Sequence, residues 1–227
     1  MTGVEDRLGR VLDRMAAAAR RAGRDPASVT LIAVTKVVDA ARIRAALAAG
    51  LREFGENRIQ EALPKIAAVG PGPRWHLIGH LQRNKARLAA GAFAMIHSID
   101  SAAVALAVER AARALDRRVP VLIEVNVGGE PTKFGVAPAG LPELVDAVGA
   151  CEHLVPSGLM TVAPIASDPQ TVRPIFRRLR ELGDAMRPRV AGGTLHDLSM
   201  GMSDDFDVAI EEGATMVRIG RAIFGER

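Results

Sequence analysis

Short apolar runs rich in branched side chains alternate along this chain with segments whose apolar positions recur at helical spacing. The first run, residues 30–36, has six small or β-branched residues followed by a lysine. Such a run is typical of a strand buried on both faces of a parallel sheet. Ahead of it, apolar residues at helical spacing predict an amphipathic helix over residues 3–23, which Gly23 ends.

The same alternation continues to the end of the chain. The predicted strands cover residues 30–36, 52–57, 74–80, 94–99, 119–127, 154–162, 194–199 and 215–220. The predicted helices between them cover residues 39–49, 58–68, 84–90, 101–115, 139–150, 169–186 and 204–212. Regular βα alternation implies parallel strands with right-handed crossovers. Eight such units predict an α/β fold: one closed (β/α)₈ TIM-type barrel with an extra N-terminal helix, forming a single domain over residues 1–227.

An open doubly wound sheet is the competing architecture. It usually carries a glycine-rich fingerprint after its first strand, and residues 34–38 contain no glycine.

The amino-acid composition excludes some classes of function. The chain has a net charge of +4, but only six Phe, one Trp and no Tyr on which bases could stack, so we expect no nucleic-acid partner. No apolar run reaches about 20 residues, and a single cysteine suits a reducing compartment, so we expect a cytoplasmic protein without a membrane partner.

Lysine is scarce in this sequence. Among 30 basic residues only Lys36, Lys65, Lys85 and Lys133 are lysines. An amine can lose its proton and condense with a carbonyl, whereas a guanidinium cannot. Lys36 also stands at the predicted end of the first strand, where α/β barrels collect their chemistry. We therefore interpret Lys36 as a carbonyl-reactive amine; a lysine that merely extends into solvent is the alternative.

The loops after the seventh and eighth strands have the composition of an anion site. Ser199 and Gly201 precede a helix that Ser203 is predicted to cap, and Arg218 precedes Gly220 at the end of the eighth strand. Phosphates often bind in barrels at these two loops. A reactive amine beside a phosphate site indicates either a phosphosugar, as in class I aldolases, or pyridoxal 5'-phosphate (PLP). Arg218 favours PLP, because an arginine at the pyridine nitrogen is a known partner of this cofactor.

Seven longer runs support a family resemblance that covers essentially the whole chain. They are AVTK (33–36), FGEN (54–57), WHLIGHLQRNK (75–85), KFG (133–135), GLMT (158–161), LSMGMSDDF (198–206) and VRIG (217–220). The chain resembles the pyridoxal phosphate homeostasis protein family, which is related in fold to the barrel domain of alanine racemase. The resemblance implies that Lys36 carries PLP as a Schiff base, that Asn57 lies close to the cofactor ring and that Arg218 lies near its nitrogen.

The resemblance also places Ser199 and the Gly220 region at the phosphate. Arg221 departs from the pattern, since a small hydroxyl residue is expected there. Its backbone N–H still suits a phosphate, and its side chain is not expected to add a hydroxyl contact.

Other candidate residues are weaker. His76 and His80 fall on one face of a strand without a carboxylate or cysteine spaced for zinc, so we interpret them as packing or mouth-lining residues and predict no metal site. Lys85 and Lys133 are expected to be functional because lysine is scarce. Cys151 has no evident base and is interpreted as an inert thiol.

The resemblance implies a protein for PLP homeostasis, which buffers the cofactor or delivers it to PLP-dependent apoenzymes, acts as a monomer and does not turn over a substrate. A PLP-dependent amino-acid racemase is the alternative. Racemisation requires a second acid–base group, and the chain has no tyrosine to provide it; His80 is the only substitute that the sequence suggests. A cofactor-free phosphosugar aldolase is the third possibility.

Overall fold

The computed structural model describes residues 3–191 and 194–225, and it contains eight parallel strands that close into a barrel in chain order. The strands are β1 (Thr30–Val34), β2 (Glu53–Glu56), β3 (Arg74–Leu77), β4 (Met95–Ile99), β5 (Val119–Glu124), β6 (Leu154–Met160), β7 (Asp197–Ser199) and β8 (Met216–Ile219). The helices are α1 (Val4–Arg21), α2 (Ala40–Ala48), α3 (Ile59–Val69), α4 (Ala86–Ala92), α5 (Ala102–Ala114), α6 (Leu141–Gly149), α7 (Arg173–Met186), α8 (Phe206–Glu211) and α9 (Arg221–Phe224). The predicted (β/α)₈ barrel with an extra N-terminal helix is confirmed.

Barrel closure brings the first and last strands together. β1 pairs in parallel with β8, with Ile32 opposite Arg218 and Ala33 opposite Ile219. The segments that carry Lys36 and Gly220 are therefore neighbours, as the predicted barrel requires.

Two apolar cores hold the barrel. The larger one lies between the sheet and the surrounding helices. The smaller one takes a single residue from each of five strands: Ile32, Met95, Leu122, Met160 and Met216. Because side chains alternate across a strand, these residues form a layer inside the barrel. Residues two positions further along β4, β5 and β8 then face the interior at the next level, nearer the carboxyl ends of the strands.

The N-terminal helix closes the helical ring. Its buried residues Leu8, Val11 and Met15 recur at helical spacing, and the helix packs against α8 and α9. Arg7 Nε donates a hydrogen bond to the carbonyl of Ile223 at 2.7 Å. α1 thus braces the segments that follow β7 and β8. None of the described helices is both long and apolar enough to cross a bilayer.

Several strands end earlier than predicted. β1 ends at Val34, β3 at Leu77 and β5 at Glu124, two or three residues before the predicted boundaries. Residues such as Ile78 and Val127 continue the apolar pattern beyond the sheet, which explains the longer predictions for β3 and β5. Lys36 consequently lies in a turn just after β1 and not on the strand itself.

Candidate functional site

Lys36 is held on a tight turn at the carboxyl end of β1. The amide of Val38 donates to the carbonyl of Thr35 at 2.9 Å, so Lys36 and Val37 are the two central residues of this turn. Val37 has a φ of +56°, which is unusual for a β-branched residue and is required at the second central position of a type II turn. Strained backbone of this kind costs about 1–3 kcal/mol and persists where the surrounding structure enforces it.

A buried ion pair beneath the turn holds it in this strained conformation. Lys65 Nζ on α3 donates to the Thr35 carbonyl at 2.7 Å and to Glu56 Oε1 at 2.8 Å. The Thr35 hydroxyl donates to the same carboxylate oxygen at 2.5 Å. The side chains of Lys65 and Glu56 are only 16% and 0% exposed. One of the four scarce lysines therefore serves to fix the turn that carries another.

Asn57 lies just after β2, next along the barrel. It is half-buried, and its Oδ1 atom is buried without a hydrogen-bond partner among the described residues. Gly79 makes this placement possible, since a Cβ there would lie 2.3 Å from the Asn57 carbonyl oxygen. A buried amide oxygen without a partner costs about 1–3 kcal/mol. Asn57 is therefore suited to a ligand that supplies a donor.

Arg218 lies inside the barrel below this mouth. It is 4% exposed; Nη1 donates to Ser199 Oγ at 2.7 Å and Nη2 donates to the Thr161 carbonyl at 2.8 Å. Burial lowers the pKa of Arg218 to about 10, while the charges of Glu124 and Asp205 oppose this shift. The guanidinium remains a cation at neutral pH.

Glu124, the last residue of β5, is a candidate that the sequence reasoning missed. Burial raises its pKa to about 7, a shift that Arg218 opposes and Asp100 reinforces. Its Oε2 atom is buried without a partner among the described residues. Because Leu122 belongs to the interior layer, Glu124 faces the interior two residues later. It is the only charged residue within the predicted strand over residues 119–127, and this signal could have identified it.

The segment after β8 approaches β1 closely at Gly220. A Cβ there would lie 3.2 Å from the Val34 carbonyl oxygen, so the backbone itself forms this side of the mouth. The amide of Ala222 lies 3.5 Å from the hydroxyl of Ser203. Arg221 extends outward, and its half-exposed guanidinium pairs with Asp204. Its side chain therefore serves a surface ion pair.

The serine that ends β7 and the serine in the following turn have different surroundings. Ser199 is fully buried, with its hydroxyl between Arg218 Nη1 and His97 Nδ1. Ser203 does not cap α8 as predicted, because that helix begins at Phe206 and its N-cap residue is Asp205. Ser203 instead lies in the turn before α8, where its hydroxyl is 3.5 Å from the Ala222 amide after β8. The two residues are identical in type, and only the path of the chain between β7 and α8 gives them different partners.

The remaining candidates lie away from Lys36. His80 stacks on Phe134 with ring centroids 3.8 Å apart and pairs with Asp100 at 3.2 Å. These residues and Lys133 line an open cavity of about 570 Å³ between the loops that follow β3, β4 and β5. Lys133 pairs with Glu130 at 2.6 Å.

His76 is a packing residue in the barrel interior, whereas His80 lines the mouth. Lys85 is half-buried in a 3₁₀ turn before α4, and no role follows from its position. Burial raises the pKa of the half-buried Cys151 thiol, which fits an inert residue. Among the described residues, no cluster of histidine, cysteine or carboxylate side chains is arranged to hold a metal ion.

The sequence is similar to known proteins over its whole length. Residues 7–227 match the family model described as alanine racemase, N-terminal domain. The pyridoxal phosphate homeostasis protein of Aquifex aeolicus is 46% identical over 223 residues, which cover 98% of this chain and 97% of that protein. The protein of the same name from Pseudomonas aeruginosa is 44% identical over 228 residues, which cover 100% and 97%.

Solved structures agree with this likeness. PipY of Synechococcus elongatus, solved with PLP bound, is 36% identical with a TM-score of 0.84, and the match covers 98% of this chain and 100% of PipY. Alanine racemase of Corynebacterium glutamicum has a TM-score of 0.70 at 19% identity, over 97% of this chain and 62% of the racemase. This second likeness concerns the fold alone.

Proposed function

Because the chain belongs to the pyridoxal phosphate homeostasis protein family, we propose that it binds PLP as a Schiff base on Lys36 and buffers or delivers the cofactor without turning over a substrate. The observation that carries this proposal is the pairing of β1 with β8, which brings Lys36 and Gly220 to one side of the barrel mouth with Arg218 buried below them. PLP is bound by a lysine amine, by a cation near its pyridine nitrogen and by backbone groups.

The described residues fit the cofactor. Asn57 offers a buried oxygen without a partner among the described residues, and Gly220 lets the backbone after β8 approach β1 closely. When bound, PLP supplies an aldehyde that condenses with a lysine amine and releases water. The strained turn and the Lys65–Glu56 pair hold Lys36 in place for this reaction. Lys36 thus contributes the covalent bond, and its neighbours keep the amine at the mouth.

For the phosphate, we propose the turn after β8. The first N–H groups of a helix have no partner within the helix, and those of Arg221 and Ala222 begin α9 beside the Ser203 hydroxyl. Ser199, which the resemblance assigns to the phosphate, is fully buried against Arg218. We therefore propose Ser203 as the hydroxyl ligand and Ser199 as a support for Arg218.

Arg218 favours storage of the cofactor over catalysis. A guanidinium with a pKa of about 10 keeps its charge at neutral pH. A cation next to the pyridine nitrogen disfavours protonation of that nitrogen, which weakens the electron sink needed to stabilise a carbanion. Binding without turnover is the expected consequence.

The test is to load the protein with PLP, reduce it with borohydride and locate the modified lysine by mass spectrometry. We expect the adduct on Lys36, its loss in Lys36→Ala, and full retention in the control Lys85→Ala. A reducible adduct that persists in Lys36→Ala would contradict the assignment. Transfer of PLP to apoenzymes is tested separately, by comparing their reactivation by the loaded protein and by equimolar free PLP.

Glu124 supports a second candidate function, a PLP-dependent amino-acid racemase. Its pKa of about 7 suits a general acid or base near neutral pH, whereas His80 is occupied by Asp100 and Phe134. The deciding measurement is α-proton exchange of L-alanine and other amino acids in deuterated water. Exchange well above that of free PLP, and lost in Lys36→Ala, would favour the racemase.

For the homeostasis role, we propose that the protein acts as a monomer in the cytoplasm.

A further inference from the structure

A continuous chain of polar side chains crosses the interior of the barrel. Glu53 Oε2 lies 2.6 Å from His76 Nε2, and His76 Nδ1 lies 2.9 Å from His97 Nε2. His97 Nδ1 lies 3.0 Å from Ser199 Oγ, which accepts a hydrogen bond from Arg218 Nη1 at 2.7 Å. Four hydrogen bonds thus link five residues on five different strands.

The chain starts near the surface and ends in the core. Glu53 is the first residue of β2, its side chain is 19% exposed, and it also pairs with Arg74 at 3.3 Å. His76, His97, Ser199 and Arg218 are all buried. Since the strands are parallel, the chain runs from the amino end of the barrel toward the mouth that carries Lys36. Such buried polar groups require complete pairing.

Complete pairing sets the direction of every hydrogen bond. Arg218 can only donate, so Ser199 Oγ accepts from it and the Ser199 proton must go to His97 Nδ1. His97 then carries its proton on Nε2 and donates to His76 Nδ1. His76 in turn donates from Nε2 to the Glu53 carboxylate. The reverse direction would leave the Ser199 proton without an acceptor among the described residues.

The electrostatics agree with this arrangement. Burial lowers the pKa of His97 well below its ordinary value, and His76 and Arg218 lower it further, so His97 is neutral. Burial alone would raise the pKa of Glu53, but the hydrogen bond with His76 and the charge of Arg74 outweigh this effect and lower it. A carboxylate and a guanidinium therefore stand at opposite ends of the relay, with the neutral His97 between them.

We propose that Glu53, His76, His97 and Ser199 are positioning residues that orient the Arg218 guanidinium through a one-directional hydrogen-bond relay. Arg218 has five N–H donors, and its bonds to Ser199 and Thr161 use two of them. The relay fixes the plane of the guanidinium and leaves the other donors for the mouth. That these donors face the cofactor ring rests on the proposed function; the relay itself does not.

The first experiment uses the protein without PLP, with ¹⁵N-labelled histidine and arginine, observed by NMR at neutral pH. We expect His76 and His97 both to be protonated on Nε2 and unprotonated on Nδ1. Ser199→Ala should change the His97 signals and make Arg218 guanidinium rotation and N–H exchange several-fold faster, while His153, which pairs with Glu109, stays unchanged. A His97 protonated on Nδ1, or unchanged Arg218 dynamics in Ser199→Ala, would overturn the relay.

A second variant removes the charge at the surface end and keeps the acceptor. In Glu53→Gln the amide oxygen still accepts from His76, so both histidine tautomers should persist, and the PLP absorption spectrum should change less than in Ser199→Ala. Glu143→Gln on the exposed face of α6 is the matched control. Reversed tautomers in Glu53→Gln, or identical PLP spectra in Ser199→Ala and wild type, would refute positioning. If wild type binds no PLP, the proposed function fails and the Arg218 exchange rates alone decide on the relay.

Discussion

The carboxyl end of the barrel has two unlike sides. The side formed after β8, β1 and β2 carries Lys36 on a strained turn and is held by a buried ion pair and close backbone contacts. The side formed after β3, β4 and β5 surrounds an open cavity, and its charged residues lie in more accessible pairs such as Lys133–Glu130. Both sides contain a scarce lysine, so residue type alone does not distinguish them.

The difference between the sides is one of solvation. Charges on the first side are removed from water, so breaking one pair leaves its partner without compensation. Charges on the second side, such as Lys133 and Glu130, keep 26% and 38% of their side-chain surface exposed, and pairs that water reaches contribute about 0–1 kcal/mol. Buried geometry, more than the identity of the lysine, therefore supports the proposal that the first side is the binding site. Substitutions on the two sides should differ accordingly.

The largest difference is expected for the lysines that form ion pairs. Lys65→Ala leaves Glu56 fully buried without its cation and should lower the free energy of unfolding by about 3–5 kcal/mol. Lys133→Ala, the matched change on the second side, should lower it by about 0–1 kcal/mol. Urea unfolding of both variants measures this. Equal losses would show that the two sides do not differ in solvation.

The next prediction concerns Glu124 and pH. Its pKa is raised to about 7 from 4.5, so between these values the folded state binds more protons than the unfolded state and stability falls as pH rises. At about 1.4 kcal/mol per pKa unit, the free energy of unfolding falls by about 3 kcal/mol over this pH range. Glu124→Gln should abolish this fall, while Glu130→Gln on the second side should preserve it. The measurement is the urea midpoint of unfolding at each pH from 4 to 8. If the midpoint of Glu124→Gln fell with pH as steeply as that of wild type, the prediction would be wrong.

The barrel was predictable because its signals are local. Most of its buried parallel strands are continuous apolar runs; Lys36, Asn57 and Gly220 each stand at or just beyond the end of a strand, and Arg218 is the next-to-last residue of β8. Barrel closure then brings the first and last strands together without further information. Four of the six proposed site positions follow from these two facts and the family resemblance.

The remaining features depend on relations that no local pattern contains. His76 and His80 share a face only if β3 continues to His80, but the strand ends at Leu77. His76 and His97 meet because two neighbouring strands pair in a particular register. Ser199 and Ser203 differ only in the path of one turn. These contacts can be identified only from the three-dimensional structure.

A smaller effect is expected at the strained residue of the first side. Val37 has a φ of +56° and is 67% exposed, so Val37→Gly relieves strain and loses little burial. Glycine also raises the entropy of the unfolded chain, which costs about 0.5–1 kcal/mol, against strain of about 1–3 kcal/mol. We expect a net stabilisation of about 1 kcal/mol. In the control Val162→Gly, an exposed valine without positive φ, the same measurement of unfolding should show a small loss, and a loss in both would argue against strain.

The smallest effect on stability is expected for Asp100, which couples the open cavity electrostatically to the barrel interior. Asp100 pairs with His80 at the open cavity, and its charge also contributes to the raised pKa of Glu124. Asp100→Asn breaks a partly exposed pair and should change the stability at neutral pH by less than about 1 kcal/mol. It should nevertheless lower the pKa of Glu124, because a neighbouring negative charge no longer opposes ionisation. The fall in stability with rising pH should then be smaller and end at a lower pH than in wild type, whereas Glu130→Gln should leave both unchanged. If Asp100→Asn left the pH profile unaltered, the open cavity and the barrel interior would be electrostatically independent, and the raised pKa of Glu124 would arise from burial alone.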